Sequence, residues 1–430
     1  MTLQMFLALG VLVLMIAMIM SNKFAFGSPP MLACFLIVAL GLANVQEAFS
    51  GFISNSVIMV AGFMIVLSGV MKTSLISKVQ KAMIELINKG GYKSYVLLLL
   101  LVALGSSLTG PGNTGYYVLI LSLITTIPYN KKLPTSKLLM PLGFAANNPL
   151  FPVNVALFYG VAESVLESAK VTESITMWKF AAVNLIVSVA FILWSLFAYK
   201  LLPDFPINDE NVEEKAEKKL EEEKEITNLP KWKEIIVITA FIISVIGMMS
   251  ISQIGQIGYV LPGIAGFIVF FIDVVSFKEL RGSFWAPVVI MMAGVSGVAD
   301  TLTTTGFTEL VGGWIADSIG VGISPFLLVL IFATLTSATT SLTGSNMGSV
   351  FIFAPIAIAT SIGLGISPIP VVVAVTISGW NSGLMPIDGM PAMIFGMGKY
   401  KLPDFWKFTV PMWIIRVIAI AVGTILLFPI

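Results

Sequence analysis

Long apolar runs, interrupted by short clusters of Gly, Pro, Ser and Asn, set the pattern of this chain. Runs near 3–20, 29–45 and 52–71 each predict a membrane-crossing helix, because ~20 apolar residues cover ~30 Å of hydrocarbon. Residues 72–92 read differently. Leu75, Val79, Met83, Leu86 and Ile87 recur at helical spacing, while Lys72, Lys78, Lys81, Lys89 and Lys93 fill or flank the other face. That pattern predicts an amphipathic helix lying along an interface. A hairpin follows over 94–127, with its tip at 110–115. Its second arm, at ~1.5 Å per residue, reaches only ~20 Å and is expected to return to the side it entered from. A span broken at Asn147-Asn148-Pro149 resumes as 155–168, and a further span covers 180–200.

The same order recurs. Spans are predicted near 233–251, 257–272 and 284–299, an interfacial stretch over 300–321, and a hairpin over 324–362 with its tip at 343–348. A broken span covers 369–398 and a last span 408–428. Gly62 and Gly294 are 232 residues apart, Gly110 and Gly344 are 234 apart, and so are Pro152 and Pro386. Asn147-x-x-Leu150-x-Pro152-x-Asn154 matches Asn381-x-x-Leu384-x-Pro386-x-Asp388, and Trp178-Lys179-Phe180 returns as Trp406-Lys407-Phe408. The pattern predicts an all-α polytopic membrane protein of two five-span repeats, each with a re-entrant hairpin and a broken helix. An odd number of crossings inverts the second repeat. The first repeat occupies 1–203 and the second 233–430. Between them, 204–232 is a Glu/Lys-rich linker with helical pairs such as Glu214–Lys218.

Composition sharpens this picture. The chain has 430 residues, 57% hydrophobic and 11% charged, against ~25% charged in soluble domains. A net charge of +1 argues against nucleic acid as a partner. Cys34 is the sole cysteine and histidine is absent, so Ser-His-Asp, Cys-His and His-zinc catalysis are excluded and no enzyme is expected. The first interfacial stretch is lysine-rich, whereas 301–321 has no Lys or Arg and carries Glu309 and Asp317. The positive-inside rule then puts the first stretch and the linker in the cytoplasm and both termini outside a cell (inner or plasma) membrane. Trp178, Trp194, Trp232, Trp285 and Trp406 read as interface anchors.

Non-helical backbone at membrane depth must line a wet cavity or be buried in protein. Paired breaks at corresponding positions of two repeats are the sequence pointer to a transporter's substrate site. Asn113, Thr114, Ser345 and Asn346 at the tips can donate to and accept from a solute. Gly110, Gly112, Gly115, Gly344 and Gly348 allow close backbone approach. Asn147, Asn148 and Asn154, mirrored by Asn381, Ser382 and Asp388, form a second polar cluster. Asp388, an acid at membrane depth, is a candidate cation ligand, proton carrier or partner of a cationic substrate group. Arg416, well inside the last span, is read as a partner of Asp388, a counter-charge to an anion or a packing element. Asp300 is expected to be simply solvated.

Gly112-Asn113-Thr114, Ser345-Asn346-Met347 and the turn Pro386-Ile387-Asp388-Gly389-Met390-Pro391 resemble the divalent anion:sodium symporter (DASS) family of the ion-transporter superfamily, over nearly the whole chain. The resemblance implies a homodimeric elevator. Its scaffold would be 1–92 and 233–321, its transport parts 93–203 and 322–430, and its substrates di- or tricarboxylates or sulfate. Gly112, Asn113, Thr114, Ser345, Asn346, Met347, Asn148, Pro386 and Asp388 would contact substrate. Sodium would sit at Asn113, Gly112 and Asn147, and at Ser341, Gly344, Asn346 and Asn381; no other cofactor is expected. Gly112 and Met347 stand where the family has Ser and Thr, and Asp388 where it has an uncharged hydroxyl residue. The altered site fits a monocarboxylate, an amino acid or a proton-coupled anion as well. A cation/proton antiporter using Asp388 is the other reading. With no P-loop, a gradient must supply the energy.

Overall fold

The structure, a computed structural model, describes residues 2–21, 23–24, 27–109, 114–125, 132–150, 155–205, 207, 229–307, 310, 314, 323–387 and 389–429. The described residues form helices, with no strand among them. In the first half these are α1 (Leu3–Met20), α2 (Ser28–Ala39), α3 (Asn55–Val70), α4 (Ser74–Lys89), α5 (Gly91–Thr109), α6 (Thr114–Thr125), α7 (Thr135–Ala145), α8 (Ala156–Ser168) and α9 (Met177–Ala198). The second half has α10 (Lys231–Met249), α11 (Gln256–Phe271), α12 (Phe277–Phe284), α13 (Pro287–Thr304), α14 (Pro325–Thr343), α15 (Asn346–Gly363), α16 (Ile369–Ser378), α17 (Gly389–Gly398) and α18 (Leu402–Leu427). Among the described residues seven stretches are long and apolar enough to cross a membrane. The protein is therefore polytopic.

Two boundaries differ from the expectation. The second span stops at Ala39, giving twelve residues and only ~18 Å. Gly41 turns the chain with φ +68°, and Asn44 then caps a short helix, Val45–Ala48, in reciprocal bonds with Glu47. The third span of the second half runs on to Thr304, because Thr301 and Thr303 return their hydroxyls to carbonyls one turn back. Asp300 thus lies on α13, paired with Lys170 at 3.0 Å and only 17% exposed, rather than simply solvated. The second hairpin keeps its expected bounds, and its return arm has 18 residues against 12 in the first. Pro355 sits inside α15 without ending it.

Polar contacts sort the helix ends into two sets. At one end Lys72 pairs with Glu279 at 2.7 Å, Ser74 N–H donates to Glu234, Tyr95 donates to Ser195 O and Tyr400 donates to Ser136 O. At the other end Ser56 donates to Glu167, Ile175 N–H to Glu163 and Ser367 to Glu173; Lys170 meets Asp300 there. Consequently α3 runs from the Glu167 end to the Lys72 end, and α13 runs the opposite way.

Helix contacts recur in exchanged pairs. α3 packs on α11, and α13 packs on α2; α7 packs on α17, and α16 packs on α8; α9 and α18 pack on each other. The first exchange holds at residue level. A Cβ built on Gly62 would meet Gly263 Cα at 2.5 Å beside Pro262, and one built on Gly294 would meet Pro30 Cβ at 2.7 Å beside Met31. The 232-residue offset that carries Gly62 to Gly294 also carries Pro30 to Pro262.

Burial divides into two apolar cores. The larger joins α1–α3, α8, α10, α11, α13 and the second hairpin with α16. The smaller joins the first hairpin with α7 and with residues of α4, α17 and the first turns of α18. Met83 and Ile87 on the apolar face of α4 belong to that smaller core. The amphipathic stripe therefore packs on α5 rather than lying free.

Candidate functional site

The tip of the second hairpin forms because α14 cannot continue past Thr343. Gly344 adopts φ +70°, a left-handed conformation that suits glycine, and its N–H closes on Thr340 O. Ser345 follows, and α15 starts at Asn346 with no side-chain cap. A Cβ on Gly348 would fall 2.3 Å from Ser345 Oγ and 2.5 Å from Ile19 on α1. A larger residue would require Ser345 and Ile19 to shift. Met347 is 6% exposed and lies in the larger core.

The break between α16 and α17 lies against this tip. Gly379 approaches Asn346 O, 3.1 Å from where its Cβ would stand. Asn381 is fully buried; its Nδ2 donates to Ser337 Oγ and to Trp413 O, each at 3.2 Å. Ser337 in turn donates to Ser378 O. Arg416 on α18 is 4% exposed and donates through Nη2 to Trp380 O at 3.5 Å. The Trp380 ring lies 3.9 Å from that of Phe158 on α8.

Thr340 Oγ1, Ser341 Oγ, Asn346 Oδ1, Ser378 Oγ, Asn381 Oδ1, Trp413 Nε1 and Arg416 Nε are buried without a hydrogen-bond partner. A buried polar atom left unpaired costs about 1–3 kcal/mol, so folded proteins keep few of them. These seven, of the eleven found among the described residues, belong to the second hairpin, the break and α18, which pack on one another. The arrangement offers acceptor oxygens from two amides and donors from an indole and a guanidinium, all shielded from solvent.

The sequence-predicted residues fall into three groups. Ser341, Gly344, Ser345, Asn346 and Asn381 are together at this place, and Ser382 beside them is 3% exposed. In the first half, Asn148 is 2% exposed and donates to Phe144 O at 2.6 Å, and Asn147 follows the end of α7. The two breaks approach each other here, since Gly383, at φ +129°, lies against the Phe144 ring. Thr114 opens α6 and Pro386 is half-buried. Gly112, Asn113, Asn154 and Asp388 lie outside the described residues.

Sequence reasoning missed Ser337, Thr340, Ser378 and Trp413. The i, i+3 and i+4 spacing of Ser337, Thr340 and Ser341 on one apolar helix was the available signal. It also missed Glu163 and Glu167 on α8. Glu163 is 4% exposed and accepts from Ile175 N–H at 2.7 Å, while Glu167 accepts from Ser56 at 2.8 Å. Acids one turn apart in an apolar segment are a legible flag.

Comparison with known proteins follows the same lines. Neisseria gonorrhoeae MtrF, described as representing a class of antimetabolite efflux pumps, has a similar fold, with TM-score 0.62 and 14% identity over 92% of this chain and 85% of its own. The Alcanivorax borkumensis YdaH transporter gives TM-score 0.60 and 14% identity over 90% of this chain and 88% of its own. At these identities the likeness concerns fold. The uncharacterized transporter sll0640 of Synechocystis sp. is 27% identical over 203 residues, 46% of this chain and 32% of that protein. YfbS of Escherichia coli, also an uncharacterized transporter, is 31% identical over 117 residues, 26% of this chain and 19% of that protein. The chain thus spans about a third or less of those relatives. Residues 6–378 match the CitMHS citrate transporter family. With most of its length matched and an all-helical membrane fold around paired helix breaks, the chain belongs to the CitMHS citrate transporter family, whose members are carriers rather than enzymes.

Proposed function

We propose that this protein is a secondary active transporter of a small organic anion of the di- or tricarboxylate class, driven by cation coupling or exchange. The observation that carries this reading is the set of unpartnered buried polar atoms between the second hairpin tip and the neighbouring helix break. Buried polar groups gathered at helix breaks suit a solute that supplies the missing hydrogen bonds. The citrate transporter family supports the anion class. The oxygens of Ser341, Asn346 and Asn381 suit a sodium ion in the second half; protons are the other coupling ion considered.

Inverted repeats are part of the proposal. The opposed directions of α3 and α13 and the exchanged packing at Gly62 and Gly294 support them. We place the Lys72 end in the cytoplasm. Lys78, Lys81 and Lys89 lie on α4, Lys137 in the first turn of α7, Lys231 and Lys233 in the first turn of α10 and Lys401 just before α18, all at that end, whereas Lys170 and Lys179 stand at the other. Both termini are then external. Elevator motion accounts for the unequal cores. The second hairpin is sealed against α1 and α13, while the first shares a separate core, as expected when the transport part sits toward the cytoplasm. Homodimerisation belongs to the same proposal.

Counterflow of labelled citrate and succinate in proteoliposomes, with and without sodium and proton gradients, tests this reading. Saturable, trans-stimulated uptake is expected. Cation-driven pH change without anion movement would instead establish the antiporter that uses Asp388.

A further inference from the structure

We propose that Arg416 is the cationic anchor for one carboxylate of the substrate, with Trp413 as its neighbouring donor. This inference rests on the anion-transporter reading and adds a specific subsite to it, built by the second half of the chain.

Arg416 stands about 21 Å along α18 from Leu402, at mid-depth of the helix. A guanidinium stays charged in protein interiors. An ionised group removed from water without a counter-charge is costly by several kcal/mol. Buried arginines therefore normally carry a carboxylate. Among the described residues none forms an ion pair with Arg416. Its hydrogen bond to Trp380 O, at 3.5 Å, is at the outer limit of such contacts.

The neighbouring groups define what is missing. Arg416 Nε and Trp413 Nε1 can only donate, and both are buried without an acceptor. They lie three residues apart on α18 and so share a helix face. Asn381 ties this face to the break, because its Nδ2 donates to Trp413 O. Two obligate donors beside a fixed positive charge call for an anionic acceptor. A carboxylate would supply it: one oxygen would meet the Nε edge of the planar guanidinium, in the geometry that makes arginine suit carboxylates, and the other would accept from an N–H or hydroxyl of the helices packed on α18. Thr340, Ser341 and Ser378 provide such hydroxyls, fully buried and unpartnered. A fixed cation also changes the coupling requirement. One substrate charge is neutralised by the protein, so fewer ions must accompany the anion.

The test is binding to purified full-length protein in nanodiscs, with succinate and citrate each compared with its primary amide. Wild type is expected to prefer the acids. R416Q is expected to lose roughly tenfold or more of that preference, R416K part of it, and W413F a few-fold, while amide binding changes little. Size-exclusion profile and melting temperature establish folding; where R416Q fails to fold, R416K and W413F read the same preference. Retention of the full acid preference in R416K and W413F overturns the assignment, even though wild type still binds anions. Loss of stability in R416Q that is restored by D388N, with acid preference intact, would make Arg416 a structural partner of Asp388 and also overturn it. A wild type that binds no anion at all refutes the anion-substrate reading itself.

Discussion

Replacing Gly62 with Ala puts a methyl group into the crossing of α3 and α11. Its Cβ would lie 2.5 Å from both Cα and N of Gly263. These are backbone atoms of a helix, so no side-chain rotation relieves the clash and the two helices must separate. Overpacking of this kind costs about 1–3 kcal/mol. Ala also gains up to about 1 kcal/mol of helix propensity over Gly, which offsets part of the cost. Gly263→Ala isolates the two contributions. Nothing lies within 4 Å of a Cβ at Gly263, so that variant keeps the propensity gain without the clash. Gly294→Ala, whose Cβ would meet Pro30 at 2.7 Å and its carbonyl carbon at 2.9 Å, should behave like Gly62→Ala. Thermal unfolding in detergent, followed by tryptophan fluorescence, measures all three. Gly62→Ala and Gly294→Ala should each be less stable than Gly263→Ala by about 1–3 kcal/mol. Equal melting of Gly62→Ala and Gly263→Ala would refute the close crossing, and a harmless Gly294→Ala beside a damaging Gly62→Ala would refute its exchanged counterpart.

Three further outcomes are expected. Asn113→Ala and Asn346→Ala should each abolish anion uptake while the protein still inserts and elutes as wild type; normal uptake in both would remove the tips from the site. Glu163→Gln should melt no lower than wild type, since the amide oxygen still accepts from Ile175 N–H and a neutral amide avoids the cost of burying a charge; a large loss of stability would show that the ionised form is required. Lys72→Met should cost under about 1 kcal/mol, because the Lys72–Glu279 pair is 24% and 35% exposed; a larger drop in unfolding free energy would show that this pair fastens α3 to α12.

Apolar runs and their interruptions were legible because membrane helices need continuous apolar surface and because Gly344, Pro149 and Pro386 interrupt it. Repeated spacing was legible too, since Gly62 and Gly294 keep their identity where two helices must touch. Helix ends were less so. Hydropathy alone carries 29–45 as one run, but the helix stops at Ala39 and Gly41 turns the chain toward the short helix that Asn44 caps. Thr301 and Thr303 look polar yet satisfy themselves within the helix, so α13 outlasts its apolar stretch. At the site, Asn346 and Asn381 could be picked out from position in the repeat. Trp413 could not be assigned there, and Arg416 stayed among three roles, because their lack of partners depends on how α18 packs against α14 and α16. That information lies in contacts between residues far apart in sequence.

The most direct measurement of the central claim is an experimental structure of the protein in a lipid nanodisc with citrate bound. The account predicts ligand density enclosed by Ser341, Asn346, Asn381 and Arg416, with Asn113 of the first hairpin facing the same space. Density remote from these residues, or either hairpin tip turned toward lipid with its amide outside any cavity, would contradict it.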